Sequence, residues 1–212
     1  MKLPILYSLQ HCPYAMRARL GLLMAQQQVM LRAITMKNKP EEMLAKSPKG
    51  TVPVLILPDD TVIDESLDIM IWALEQNDPE GWLDMPQRGH DLIARFDGPF
   101  KAALDRYKYA NRYEDVDTNE QRKTASAFLS KLDKRLAAND GFMFGSRLSL
   151  ADLAILPFVR QFANVDRAWF DVQDWPTLRT TLETFIASDR FLAIMDKYPQ
   201  WHPGDAATRF AA

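Results

Sequence analysis

Cys12 is followed at once by Pro13, and Pro13 opens a run with helical spacing. Proline fits the first position of a helix because it has no amide hydrogen to leave unpaired and its φ is preset. Cys12 therefore reads as the N-cap, where unpaired amides and the helix macrodipole favour negative charge. A thiolate is both the nucleophile and the form that exchanges with disulfides. A lone cysteine can also be a small buried hydrophobe, but a strand–Cys–Pro–helix setting favours the reactive reading. His11 and Arg17 would add positive potential, although each alone reads as a loop or surface residue.

Two further groups stand out. Pro53 interrupts the apolar run Val52 to Leu57, and proline cannot donate to a sheet ladder. The conflict disappears if Pro53 begins the strand. A cis Val52–Pro53 bond would then turn the preceding amide and carbonyl outward, free to pair with a ligand. Asp64-Glu65-Ser66 precedes another helical run. Acidic residues and serine suit a helix start for structural reasons alone. They also suit an α-amino acid headgroup, with Glu65 on the ammonium and the helix start and Ser66 hydroxyl on the carboxylate.

These residues need a frame to bring them together. Leu3 to Tyr7 suits a buried strand, and Met16, Leu20, Leu23 and Met24 recur on one helical face. Val29 to Ile34 reads as a second strand and Pro40 to Lys46 as a short helix. Val54 to Leu57 and Thr61 to Ile63 flank the turn signal Pro58-Asp59-Asp60, which predicts a hairpin. Ser66 to Gln76 closes the series as a helix. The order β-α-β-α-β-β-α describes an α/β domain over residues 1–76 with a mixed sheet.

Residues 77–87, with Pro79, Gly81 and Pro86, read as a linker, and strand signals vanish across 88–212. That second domain reads as all-α. Asp91 to Arg112 is helical with a break at Gly98-Pro99. Apolar stripes mark two further helices, one on Ala125, Phe128, Leu129, Leu132 and Leu136, the other on Leu178, Leu182, Phe185 and Ile186. Ser149-Leu150-Ala151-Asp152 has the form of a capping box, with Leu148 and Leu153 as a hydrophobic staple. The apolar helix it opens should be the buried centre of this half.

Composition narrows the functional classes. The 212 residues are 47% hydrophobic and 25% charged with a net charge of −2, and Lys and Arg are scattered. Nothing there favours nucleic acid or anionic lipid. The single cysteine fits a reducing compartment. Without a secretory pattern at the start or an apolar stretch of about 20 residues, the reading is cytoplasmic and without a membrane span. His11, His90 and His202 lack metal-ligand spacing, so no metal site is expected.

His11-Cys12-Pro13-Tyr14, Thr51-Val52-Pro53-Val54 and Glu65-Ser66, followed by a helical half with Ser149-x-x-Asp152, resemble the cytosolic glutathione transferases. Within them the chain is most similar to the cysteine-type members, the omega class and glutaredoxin-2-like proteins. The resemblance implies a thioredoxin-like first domain and an all-helical second one. It implies glutathione as co-substrate, with no permanently bound cofactor. By position, Cys12 would face the glutathione sulfur and Val52, before a cis Pro53, would pair with the cysteinyl unit. Glu65 and Ser66 would hold the γ-glutamyl headgroup, Lys39 the glycyl end, and Tyr14 would line the thiol pocket. Where dithiol glutaredoxins carry Cys-Pro-Tyr-Cys, this chain has Ala15. Any redox cycle would thus be monothiol: deglutathionylation, dehydroascorbate reduction or general thiol transfer.

Two other functions compete. A conjugating transferase would use a hydroxyl at the end of the first strand, Tyr7 or Ser8, to bind the glutathione thiolate. A non-catalytic module would keep the fold to engage a protein partner. The second substrate pocket is expected between domains, with Tyr107, Tyr109, Tyr113, Trp169 and Phe170 as wall residues. The tail Pro199 to Ala212 would either cover the site or pack on the surface. Family members are usually dimeric, and both monomer and homodimer are open.

Overall fold

The computed structural model describes residues 2–206 and 208–211 of the chain. It divides into two compact units, residues 1–81 with 188–212, and Trp82–Ala187.

The first unit opens with β1 (Ile5–Ser8), α1 (Pro13–Met24), β2 (Val29–Ala33) and α2 (Glu41–Lys46). It continues through β3 (Val54–Ile56), β4 (Val62–Ile63) and α3 (Ser66–Gln76). This is the thioredoxin-like order the sequence predicts. β1 and β2 run parallel across the α1 crossover, while β3 and β4 add antiparallel on the other side of β1. Alternation along the strands sets the faces. Tyr7, Val54 and Ile56 share one apolar cluster with Ile34, Val52, Trp201 and Met43 of α2. Leu6 and Leu55, fully buried, take the opposite face.

Helices α1 and α3 pack together closely. A Cβ on Gly21 would stand 2.8 Å from the Met70 Cα, so only glycine permits this approach. Gly50 has φ +61°, the left-handed region glycine enters without steric cost. It turns the chain from α2 toward Val52.

The C-terminal segment departs from the sequence reading. Residues 188–212 return to the first unit instead of extending the helical domain. There α10 (Asp189–Ile194) packs on α1, and β5 (Thr208–Phe210) joins the sheet edge antiparallel to β2. The described strand order is β4-β3-β1-β2-β5. Trp201 anchors the return. Its amide donates to the Ala33 carbonyl at 2.8 Å and its ring lies 4.0 Å from the Arg32 guanidinium. The tail therefore completes this unit. Ala207 and Ala212 lie outside the described residues.

The second unit is helical: α4 (Gln87–Arg95), α5 (Lys101–Lys108), α6 (Thr118–Ala137), α7 (Leu150–Ala163), α8 (Arg167–Asp171) and α9 (Pro176–Ala187). The break expected at Gly98-Pro99 is a π-helical turn, Phe96–Phe100, joining α4 to α5 without interruption. Pro99 has no N–H to give to the regular ladder, and the wider turn accommodates it. The capping box at Ser149 is present, and α7 is buried along nearly its whole length. Asp152 does more than cap. One carboxylate oxygen accepts from the Ser149 amide at 2.9 Å and the Ser149 hydroxyl at 2.6 Å. The other accepts from the Met143 amide at 2.8 Å, which pins the preceding loop.

Candidate active site

Cys12 is the N-cap of α1 with Pro13 at N1, in extended conformation (φ −75°, ψ 123°). Its carbonyl accepts from the Met16 amide at 2.9 Å, and its own amide donates to the Leu9 carbonyl at 3.2 Å. The half-buried sulfur lies 3.9 Å from the Val52 carbonyl oxygen. Residues forty apart in sequence thus meet where β1 ends and β3 begins. The Val52–Pro53 bond is cis, and Pro53 precedes β3.

Glu65 is the N-cap of α3, and Ser66, 4% exposed, is its first residue. Glu65 is not idle. The Lys49 ammonium lies 2.6 Å from its carboxylate and 3.2 Å from that of Asp64, which also accepts from the Ser47 hydroxyl at 2.6 Å. The Ser47 bond chiefly holds the Asp64 carboxyl below its usual range, against the effect of burial, with Lys49 assisting. Burial opposes the charge on Lys49, but bonding to Glu65 and Asp64 outweighs it and raises the ammonium above an ordinary lysine. The Lys39 Nζ lies 3.3 Å from where a Gly50 Cβ would stand. Tyr14 is half-buried one residue beyond Pro13, with the Arg17 guanidinium 5.9 Å over its ring. Arg17 is buried, not the surface residue its charge suggests, whereas His11 is exposed.

The hydroxyls of the conjugating alternative are both engaged. Tyr7 is fully buried, and its Oη accepts from Arg32 at 2.5 Å. Arg32 in turn pairs with Glu42 at 2.6 Å. Burial raises the Tyr7 phenol above its ordinary value, although Arg32 pulls the other way. Ser8 accepts a hydrogen bond from Arg19, a residue that no motif in the sequence marks out. A cavity of about 160 Å³ opens beside Tyr7 and Arg32, lined also by Lys2, Glu42, Lys46 and Asp60. Cys12, Val52 and Glu65 do not line it.

The proposed wall residues of the second unit divide into two sets. Tyr107 and Trp169 join an aromatic cluster around Phe162, with ring centroids 5.5 and 6.1 Å from it. Phe170 is buried in the same cluster. Tyr109 lies under the Arg112 guanidinium at 4.0 Å, and the exposed Tyr113 under Arg106 at 5.1 Å. Among the described residues no group of three or more His, Cys, Asp or Glu could hold a metal ion. No described helix is long and apolar enough to cross a membrane.

Comparison with known proteins bears on this arrangement. Residues 6–82 match the glutathione S-transferase N-terminal domain and residues 100–203 the glutathione S-transferase C-terminal domain. The chain belongs to the glutathione S-transferase family. Among its relatives is the probable glutathione S-transferase DHAR2, chloroplastic, of Oryza sativa subsp. japonica. The two are 29% identical over 205 residues, covering 91% of this chain and 70% of the rice protein. A solved glutathione transferase family member from Pseudomonas fluorescens pf-5, with two glutathione bound, superposes with a TM-score of 0.79. It is 18% identical, with 92% of each chain covered. Glutathione transferase Omega 2C from Trametes versicolor gives a TM-score of 0.73 at 18% identity, covering 93% of this transferase and 94% of that chain. At such identities the structural likeness is one of fold.

Proposed function

We propose that this transferase is a monothiol glutathione-dependent thiol–disulfide exchanger with Cys12 as its nucleophile. The observation that carries the reading is the Cys12 sulfur at the α1 N-cap, 3.9 Å from the carbonyl of the residue before Pro53. A peptide thiol laid along Val52 would meet this sulfur. Tyr7 and Ser8 are both buried, which argues against the conjugating alternative, whose hydroxyl must reach the glutathione thiolate.

The cycle has two balanced exchanges. The Cys12 thiolate attacks the glutathione sulfur of a mixed disulfide. That S–S bond breaks, the substrate thiolate leaves and takes a proton, and Cys12 becomes glutathionylated. The thiolate of a second, reduced glutathione then attacks the glutathione sulfur of this adduct; the S–S bond to Cys12 breaks, glutathione disulfide leaves and the Cys12 thiolate is restored. The chain has one cysteine, so no internal thiol can resolve the adduct.

The further roles we assign are carried over by position from the resemblance to cysteine-type glutathione transferases. The Val52 backbone pairs with the cysteinyl unit, and Tyr14 lines the thiol pocket. Glu65 takes the γ-glutamyl ammonium in exchange for Lys49, while the α3 start at Ser66 takes its carboxylate. Lys39 receives the glycyl carboxylate. These residues belong to one unit of one chain, so exchange does not require a second subunit. Tyr107, Tyr109, Tyr113 and Trp169 are our candidates for contact with the second substrate. Mixed disulfides of proteins and dehydroascorbate are the substrates to try first. A cycle that consumes reduced glutathione belongs in a reducing compartment such as the cytoplasm.

Replacing Cys12 by Ala tests the reading. Reduction of a glutathione mixed disulfide should fall to the uncatalysed background while glutathione binding persists. Retained exchange would refute it, and conjugation surviving in C12A would favour the hydroxyl alternative.

A further inference from the structure

Arg19 is 2% exposed, yet every acceptor it meets is neutral: a hydroxyl and backbone carbonyls from two distant stretches of chain. Its Nη1 donates to the Ser8 hydroxyl and to the Leu9 carbonyl at 3.2 Å, and its Nη2 to the Gln10 carbonyl at 2.7 Å. Its Nε donates to the Ile194 carbonyl at 3.0 Å, at the end of α10. One guanidinium therefore grips three consecutive residues, Ser8 at the end of β1 and the two that follow it toward Cys12, and binds them to the C-terminal segment. The Leu9 carbonyl is shared, since it also accepts the Cys12 amide at 3.2 Å. Gln10 repeats the link beside it, its side-chain amide donating to the Met195 carbonyl at 2.7 Å. The last carbonyls of a helix have no partner within it, so α10 offers Arg19 and Gln10 a ready row of acceptors.

We infer that Arg19 is a positioning residue, fixing the Ser8–Gln10 loop against the C-terminal segment so that Cys12 is presented at the tip of α1. The inference rests on the proposal that Cys12 is the nucleophile. A flexible loop would allow the sulfur to leave its place beside Val52, and small displacements of a reacting atom cost rate steeply. Arginine suits the task because its planar fork reaches several acceptors at once, which a lysine ammonium does over a smaller span. Burial lowers the Arg19 guanidinium to about 10, with the charges of Cys12 and Tyr198 acting the other way, so it stays cationic at neutral pH.

The test uses the full chain with R19M, R19K and Q10A, each checked for folding by circular dichroism. Two rates are read: reduction of a glutathione mixed disulfide, and alkylation of Cys12 by iodoacetamide followed by mass spectrometry. R19M should lower kcat by roughly tenfold or more, with KM for glutathione within about twofold of the parent, since Lys39, Val52, Glu65 and Ser66, which are proposed to hold the peptide, lie outside α1. Alkylation should slow in parallel, whereas merely loosened structure would leave it unchanged or faster. R19K and Q10A should lie between R19M and the parent. A folded R19M with both rates within twofold of the parent would overturn the inference, as would a loss confined to KM. Should R19M fail to fold, R19K and Q10A decide, and parental rates in both would overturn it. Exchange retained by C12A would refute the nucleophile reading, while alkylation still reports on Arg19 by itself.

Discussion

Glu65 carries a conflict that ligand binding must resolve. Its carboxylate already holds the Lys49 ammonium at 2.6 Å, and the proposed γ-glutamyl ammonium needs the same oxygens. Asp64 gives Lys49 a second anchor at 3.2 Å, so the lysine can yield Glu65 without losing its partner. Exposed ion pairs of this kind contribute little, about 0.2–1 kcal/mol. K49Q should therefore tighten glutathione binding by roughly two- to fivefold in a calorimetric titration. Weaker binding in K49Q would mean that Lys49 touches the ligand. E65Q should act the opposite way, weakening binding by about tenfold. Of this neighbourhood, the Cys12 N-cap and the helix start at Glu65-Ser66 were legible in the sequence, because each depends on residues adjacent in the chain, whereas the cis Val52–Pro53 bond was implied only by the family resemblance. Arg19 and the Lys49 pairing were not. A charged residue on a helix suggests solvent, and only the folded chain shows that α1 is covered on nearly every side.

Among the elements, α3 is observed with the bounds its periodicity predicts, Ser66–Gln76. The hairpin, the α1 start and the α7 capping box were equally readable from local chemistry. β5 was not, since Thr208-Arg209-Phe210 is too short to show alternation and becomes a strand only where the tail meets β2. The contact of α1 with α3 also escapes sequence patterns, although Gly21 is its mark. G21A should destabilise the protein by about 1–3 kcal/mol, because the new methyl meets Met70 backbone and not a flexible side-chain end. A thermal melt unchanged in G21A would contradict this close packing.

At α7, burial chiefly raises the Asp152 carboxyl above the ordinary 3.8, and its hydrogen bonds offset this only in part. The folded state thus holds that proton more tightly than the unfolded chain. The stability Asp152 contributes is then fullest below about pH 4 and declines as pH rises through the folded value. Asn at this position cannot titrate. The melting-temperature advantage of the parent over D152N should shrink as pH rises from the ordinary carboxylate range, and a widening advantage would contradict it.

For the whole molecule, the return of residues 188–212 to the first unit makes the surroundings of Cys12, the proposed nucleophile, a product of segments far apart in the sequence. The sheet edge is closed by β5, Trp201 covers Arg32 beside Tyr7, and α10 supports the loop that leads to Cys12. A one-cysteine chain also restricts its chemistry, because every covalent intermediate of the proposed cycle must reside on the same sulfur. Intact-mass spectrometry after exposure to glutathione disulfide reads that sulfur directly. The account predicts a single added glutathione, mapped to Cys12 and removed by reduced glutathione. An unmodified chain, or an adduct that reduced glutathione cannot remove, would contradict it.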